Sequence, residues 1–243
     1  EIGCGTGSAT APLAMSSRHV YAFDLDGRTA EIAKKRCDLM GLKNVTTYAQ
    51  DVTWTPRFVS DTKSVCKWPV DIVMSYALME HLLPIERIQL LVGAWEALPV
   101  GGYFVVVEAP NRLSPFDWHS LMERFTELPD ELYFMWAAFS DRPTIDGDMV
   151  AQRLEDLPRM NRERSYRFGR GVSFHEFHIA LGPDAYEVVS SMDRKTIAKF
   201  DQTFLDALGA ELAKLAPPVH SRFAYPSLDL VVRKTGKARL APV

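Results

Sequence analysis

Residues 1–10 read EIGCGTGSAT, and this stretch decides the fold. Gly3, Gly5 and Gly7 let the backbone turn sharply and approach a ligand with no Cβ in the way. Such a loop follows a buried strand and opens a helix. The N–H groups at that helix start, at the positive end of its dipole, then face the ligand. Ala9 to Met15 suits the helix, with Pro12 in its first turn, where a missing N–H costs least. Glu1 and Ile2 read as the last residues of the strand. A chain that opens here, on Glu and with no charged-then-apolar leader, is expected to be a fragment truncated at its N-terminus.

Downstream, strands and helices alternate. His19–Asp24 is a predicted strand. Asp26–Met40 is a helix, with Ala30, Ala33, Cys37 and Met40 on one face and Gly41 as its stop. Val45–Ala49 and Val70–Ser75 are strands, separated by an irregular connection. Ile85, Ile88, Leu91, Val92, Trp95 and Leu98 share one helix face that ends at Pro99. Tyr103–Glu108 (YFVVVE) is a continuous apolar run of the kind buried on both sides. This order predicts an α/β fold, a Rossmann-like doubly wound and mostly parallel sheet with right-handed crossovers. Ligands of such sheets bind at the carboxyl ends of the strands. The alternation then stops, and residues 111–182 read as an aromatic, Arg-rich insertion after the fifth strand. Tyr186–Ser190, a long amphipathic helix from Ile197 to Leu215, and Leu228–Arg233 complete the core. The expected division is therefore 1–110, 111–182 and 183–243.

Composition narrows the class. The 243 residues carry a net charge of −3, with 47% hydrophobic and 24% charged residues, which fits a folded globular chain and argues against a nucleic-acid coat. No run of about 18 apolar residues suggests a membrane span. Cys4, Cys37 and Cys66 form no CxxC pair, which suits a reducing, cytoplasmic setting and no thiolate metal site.

Two acids complete the pattern. Asp24, about 20 positions after Gly3 at the end of the second strand, can accept from both hydroxyls of a ribose. Asp51 ends the third strand, where it can accept from an adenine amino group. A dinucleotide loop needs G-x-G-x-x-G; here the third glycine comes one residue early and Ser8 holds its place, which speaks against NAD.

With these residues in view, the sequence resembles the class I S-adenosylmethionine-dependent methyltransferases. EIGCGTG is similar to their first motif and YAFDLD to the second-strand acid. YAQDV matches the adenine-edge motif, VDIVMSYALMEHL the fourth-strand motif, and LPVGGYFVVVEAPN the fifth strand with its preceding proline and glycines. The resemblance covers residues 1–110. It implies S-adenosyl-L-methionine as cofactor, with Glu1, Gly3, Gly5 and Gly7 cradling its methionine part and Asp24 holding the ribose. Asp51 and Val52 would then edge the adenine, while Ser75 and Tyr76 line the methionine side. SYAL stands where methyltransferases acting on amide or base nitrogen carry Asn-Pro-Pro-Tyr. LMEHL followed by PNRL looks like ubiquinone-biosynthesis O-methyltransferases and small-RNA 2′-O-methyltransferases. A Glu-x-x-Glu-His magnesium run of those families is matched by Glu80 and His81 but not by Ala77, so no metal is expected.

The expected reaction is methyl transfer to a hydroxyl of a small aromatic, lipid-like or glycan-type acceptor. RNA 2′-O-methylation and a non-catalytic S-adenosylmethionine-binding domain are the alternatives. A base for the hydroxyl is expected just past the fifth strand, with His119 and Glu108 as the chosen candidates, and Asp117, His175 and His178 behind them. Trp118, Leu121, Met122, Phe125 and Leu128 predict an amphipathic helix there. With LYFMWAAF (Leu132–Phe139), it reads as an accessory core or as an apolar lid over the acceptor. Arg153, Arg159, Arg162, Arg164, Arg167 and Arg170, interspersed with Glu155, Asp156 and Glu163, read as a solvated mixed-charge face or an anion clamp on the acceptor. Oligomeric state is not legible.

Overall fold

The computed structural model describes residues 1–51, 64–117, 122, 123, 128, 171–191 and 202–241. In chain order the elements are α1 (Thr10–Ser16), β1 (Val20–Asp24), α2 (Gly27–Leu39), β2 (Val45–Ala49), β3 (Ile72–Tyr76) and a 3-10 turn (Met79–His81). There follow α3 (Pro84–Ala97), β4 (Tyr103–Pro110), the short strands β5 (Phe116–Asp117) and β6 (Met122–Glu123), and α4 (Phe174–Ala180). The chain continues with β7 (Tyr186–Ser191), α5 (Gln202–Ala213), a second 3-10 turn (Ser221–Ala224) and β8 (Ser227–Lys234).

β1 and β2 pair in parallel, as do β3 and β4. Ile2 joins the two pairs, bridging Phe23 on one side and Ser75 on the other, both parallel. β8 then runs antiparallel to β4, and β7 antiparallel to β8. The expected parallel α/β core is therefore present, and its C-terminal elements add an antiparallel edge.

Alternation along β1 shows how the two faces are covered. Val20 and Ala22 pack with Ala11 and Ala14 of α1 and Ala30, Ala33 and Cys37 of α2. Phe23 and Tyr21 point the other way, into the larger cluster with Leu90, Leu91 and Trp95 of α3, Phe177 of α4 and Phe223. Small residues dominate the first face, so its helices lie close to the sheet. Local signals set the helix ends. Asp26 accepts the Arg28 N–H at 2.9 Å at the start of α2, and Glu86 accepts the Leu83 N–H at 2.9 Å before α3, which has Pro84 in its first turn.

One expected element is corrected. Met122–Glu123 do not continue a helix from Trp118 to Leu128; they pair antiparallel with Phe116–Asp117. Ser114 accepts the Phe116 N–H at 3.2 Å across Pro115, and this turn sends Phe116 and Asp117 out extended. The Leu132–Phe139 run and the arginines from Arg153 to Arg170 lie outside the described residues. The helix expected from Ile197 to Leu215 is described as Gln202–Ala213.

Candidate functional site

The carboxyl ends of β1, β3 and β4 open on one edge of the sheet, and the glycine loop sits there. Gly3, Gly5 and Gly7 have φ of +68°, +51° and +84°. A Cβ on Gly7 would stand 2.9 Å from Cα and Cβ of Ala33, so the third glycine lets the loop touch α2. Around a Cβ on Gly5 there would be nothing within 4 Å, so that glycine meets open space and is required for its backbone conformation alone.

Asp24 ties this loop to the next helix. Its Oδ2 accepts the Gly5 N–H at 2.7 Å, and its Oδ1 accepts from the Asp26 N–H at 2.9 Å and the Thr29 hydroxyl at 3.0 Å. A carboxylate has about four acceptor positions, so three protein donors leave one or so open. Thr10 in α1 donates its hydroxyl to Glu1 Oε2. Burial pushes the Glu1 carboxyl above the ordinary carboxylate range, and the Thr10 hydrogen bond opposes that shift. Burial, aided by the nearby acids Glu1 and Asp24, pushes the Cys4 thiol up to about 12, so Cys4 stays a thiol in the loop.

Ser75 is buried on β3, and its Oγ has no hydrogen-bond partner among the described residues. Tyr76 next to it is half-buried, and Asp51 is exposed just past β2. Val52, the other residue assigned to the adenine edge, lies outside the described residues.

The acceptor-side candidates separate. Glu108 sits at the carboxyl end of β4 with φ +60°, where the register against β8 shifts between Val106 and Ala109. Its backbone N–H donates to Asp229 Oδ1 of β8 at 2.9 Å. Ala77, with φ +46°, lies beside it on the β3 side and donates its N–H to the Val107 carbonyl at 2.9 Å. His119 lies outside the described residues. Asp117 is buried. Glu80 is buried and its Oε1 stands 3.8 Å from His81 Nε2. Among the described residues no group of three or more His, Cys, Asp and Glu is arranged to hold a metal ion.

A further group arrives from far along the chain. Val172 pairs in parallel with Asn111: its N–H donates to the Pro110 carbonyl at 2.8 Å and its carbonyl accepts the Arg112 N–H at 2.9 Å. The Asn111 N–H points to the other side, to the Pro226 carbonyl beside β8, so Val172 takes the side on which β3 has ended. A Cβ on Gly171 would stand 2.5 Å from the Pro110 carbonyl oxygen, so only glycine fits. Arg87, buried in the first turn of α3, donates Nη1 to the Gly171 carbonyl at 2.8 Å and to Glu176 Oε1 at 3.1 Å, and Nε to the Leu82 carbonyl at 3.0 Å. Sequence reasoning named His175 and His178 but missed Arg87, Ser173 and Glu176. The S-x-x-E spacing of Ser173 and Glu176, a helix-start signal, was the available clue.

A separate groove of about 580 Å³ lies between the amino-terminal halves of β1 and β3, lined among others by Tyr21, Cys66, Trp68 and Ile72. Glu1 and Ile2, which lead into the glycine loop, also line it.

The family model described as a methyltransferase domain matches residues 1–102. Over these residues, which end just before β4, the chain is similar to that domain. No curated protein matches the chain. Among solved structures, it is similar to an S-adenosylmethionine-dependent methyltransferase from Clostridium acetobutylicum ATCC 824, with 18% identity over 44% of this chain and 41% of that one and a TM-score of 0.37. An rRNA methylase from Streptococcus thermophilus shows 20% identity over 44% and 59%, with a TM-score of 0.35. A magnesium protoporphyrin IX methyltransferase from Synechocystis PCC 6803 shows 20% identity over 46% of each chain, with a TM-score of 0.36. The chain spans less than two thirds of each of these structures.

Proposed function

We propose that the chain transfers a methyl group from S-adenosylmethionine to a hydroxyl of a small acceptor. One observation carries the donor half. At one carboxyl edge of the sheet the loop leaves open space beside Gly5, Asp24 keeps a free acceptor position, and Ser75 presents a buried Oγ without a partner among the described residues. These residues fit the donor. In this reading Asp24 holds the ribose through that position and Asp51 with Val52 edges the adenine. Glu1, Gly3, Gly5, Gly7, Ser75 and Tyr76 hold the methionine part. The sulfonium supplies an activated methyl group. In-line positioning of the acceptor then contributes on the order of 7–11 kcal/mol, and a base about 10²–10⁴-fold more.

Glu108 and His119 are the groups we assign to the acceptor side, Glu108 because the bulge in β4 re-aims it at the strand end beside Ala77. Residues 1–110 hold the donor, 111–182 cover the acceptor and 183–243 complete the core. Among the described residues no helix is long and apolar enough to cross a membrane, and the reading places the chain in the cytoplasm. The acidic balance favours a small acceptor over nucleic acid.

Calorimetric titration with S-adenosylhomocysteine is expected to give saturable one-to-one binding. Its absence ends the reading. Methyl-tritiated donor incubated with the small-molecule and RNA fractions of a cell extract then identifies the acceptor, and label in RNA alone overturns the small-acceptor assignment.

A further inference from the structure

We infer that His175 is the proton acceptor of this site and that its accepting nitrogen is fixed in advance by a relay of Ser173, Glu176 and Arg87. The inference rests on the methyl-transfer reading above. Three distances define the relay. Ser173 Oγ is 2.6 Å from Glu176 Oε2 and 3.0 Å from His175 Nδ1, and Arg87 Nη1 is 3.1 Å from Glu176 Oε1. Glu176 also accepts the Ser173 N–H at 2.9 Å. Facing the buried guanidinium and these donors, Glu176 is a carboxylate and can only accept. The single hydroxyl proton of Ser173 therefore goes to Glu176. Ser173 Oγ is left with lone pairs toward His175, so Nδ1 must carry the imidazole proton. Nε2 is then the basic nitrogen, and among the described residues it has no hydrogen-bond partner.

The position suits the role. Ser173, Glu176 and Arg87 are buried, while His175 is exposed. Its ring is held against Phe174, with centroids 4.0 Å apart and planes 26° apart. Val172, three residues earlier, is stitched to β4 beyond the point where β3 ends. The inference puts His175 at the edge assigned to the donor's methyl group. In the step, a C–O bond forms between the acceptor oxygen and the methyl carbon as the C–S bond breaks, leaving its electron pair on sulfur. The hydroxyl proton moves to Nε2. The resulting imidazolium is stabilised through Nδ1–H, Ser173 and Glu176, and returns the proton to water.

The tautomer is the direct test. Long-range ¹H–¹⁵N NMR of the labelled full chain, with the His175 signals assigned from H175Q, is expected to show the Nδ1–H form. S173A is expected to move the population to Nε2–H, the usual form, with the fold intact. Nε2–H in the parent protein overturns the inference. With tritiated donor and the acceptor fraction of a cell extract, H175Q is expected to lower product formation about 10²-fold or more. Its affinity for S-adenosylhomocysteine should stay within twofold of the parent's. Unchanged product formation also overturns the inference. Loss of S-adenosylhomocysteine binding in the parent protein instead defeats the methyl-transfer reading and leaves the tautomer result to judge the relay.

Discussion

Asp229 Oδ1 accepts the backbone N–H of Glu108 at 2.9 Å, and so a buried acid on the last strand holds a left-handed residue at the end of β4. Removing it leaves that N–H without this partner in a protein interior, a loss of about 1–3 kcal/mol. Asp229→Ala is expected to lower the urea midpoint accordingly. Glu108→Gly is expected to do the reverse by about 1–2 kcal/mol, since glycine adopts φ near +60° without the Cβ penalty. The same substitution should depress methyl transfer. A Glu108→Gly protein less stable than its parent would show that the bulge is held by the side chain and not merely tolerated.

Asp24→Ala should strike twice. The carboxylate lost is both the proposed partner of the ribose and the acceptor of the Gly5 N–H. Each hydrogen bond to a charged group is worth about 1.5–3 kcal/mol. Calorimetry is expected to show at least tenfold weaker binding of S-adenosylhomocysteine, and hydrogen exchange should show faster exchange at Gly5 without any ligand. Slow exchange at Gly5 in this variant would refute the tethering role.

Arg87 and Glu176 form a buried pair, and breaking such a pair from one side costs about 3–5 kcal/mol. Glu176→Ala is expected to unfold at markedly lower urea concentration than its parent. Arg87→Met with Glu176→Leu should recover part of the loss, because no lone charge then remains inside.

The thiols give a pH signature. Burial pushes Cys4 up to about 12 and Cys66 up to about 11, against about 8.5 for a free thiol. In the folded chain both should resist iodoacetamide at pH 8 and react promptly in urea. The sign follows from linkage. Above about pH 8.5 the unfolded chain releases these protons while the folded chain keeps them, so stability falls as pH rises toward 11–12. Cys4→Ser should flatten that decline.

A chelator is expected to leave turnover intact. Ala77 stands where a further hard oxygen ligand would be needed, and magnesium requires several oxygens in octahedral array. Activity abolished by EDTA and restored by Mg²⁺ would promote Glu80 and His81 to ligands.

Much of the core was legible because its signals are local. The glycine spacing, Gly41 after α2, Pro99 after α3 and the apolar run of β4 each act within a few residues. What was missed depends on distance along the chain. Arg87 reads as one charge in an amphipathic helix, and its partner Glu176 lies 89 positions away. The bulge at Glu108 left no trace because YFVVVE is apolar without alternation, so a shift of register changes no visible pattern. At Met122 the spacing of apolar residues favoured a helix, and pairing with Phe116–Asp117 prevailed. His119, chosen from its place after the strand, lies outside the described residues, whereas the bridge that brings Val172 to the end of β4 follows from no spacing rule.

The bridge between Asn111 and Val172 also makes the fold a socket. The chain departs from the sheet and rejoins it at neighbouring backbone positions, fastened by two hydrogen bonds that belong to the core and to the glycine at 171. Whatever is threaded between these points inherits ends that are already brought together. A change in its length then adds only a slowly growing, logarithmic closure cost. Substitution, extension or shortening between the anchors can thus alter what is presented to an acceptor while the donor loop, Asp24 and the strands beneath them keep their places. A swap of the intervening segment with the anchors retained is the natural route to changing the acceptor without rebuilding the domain.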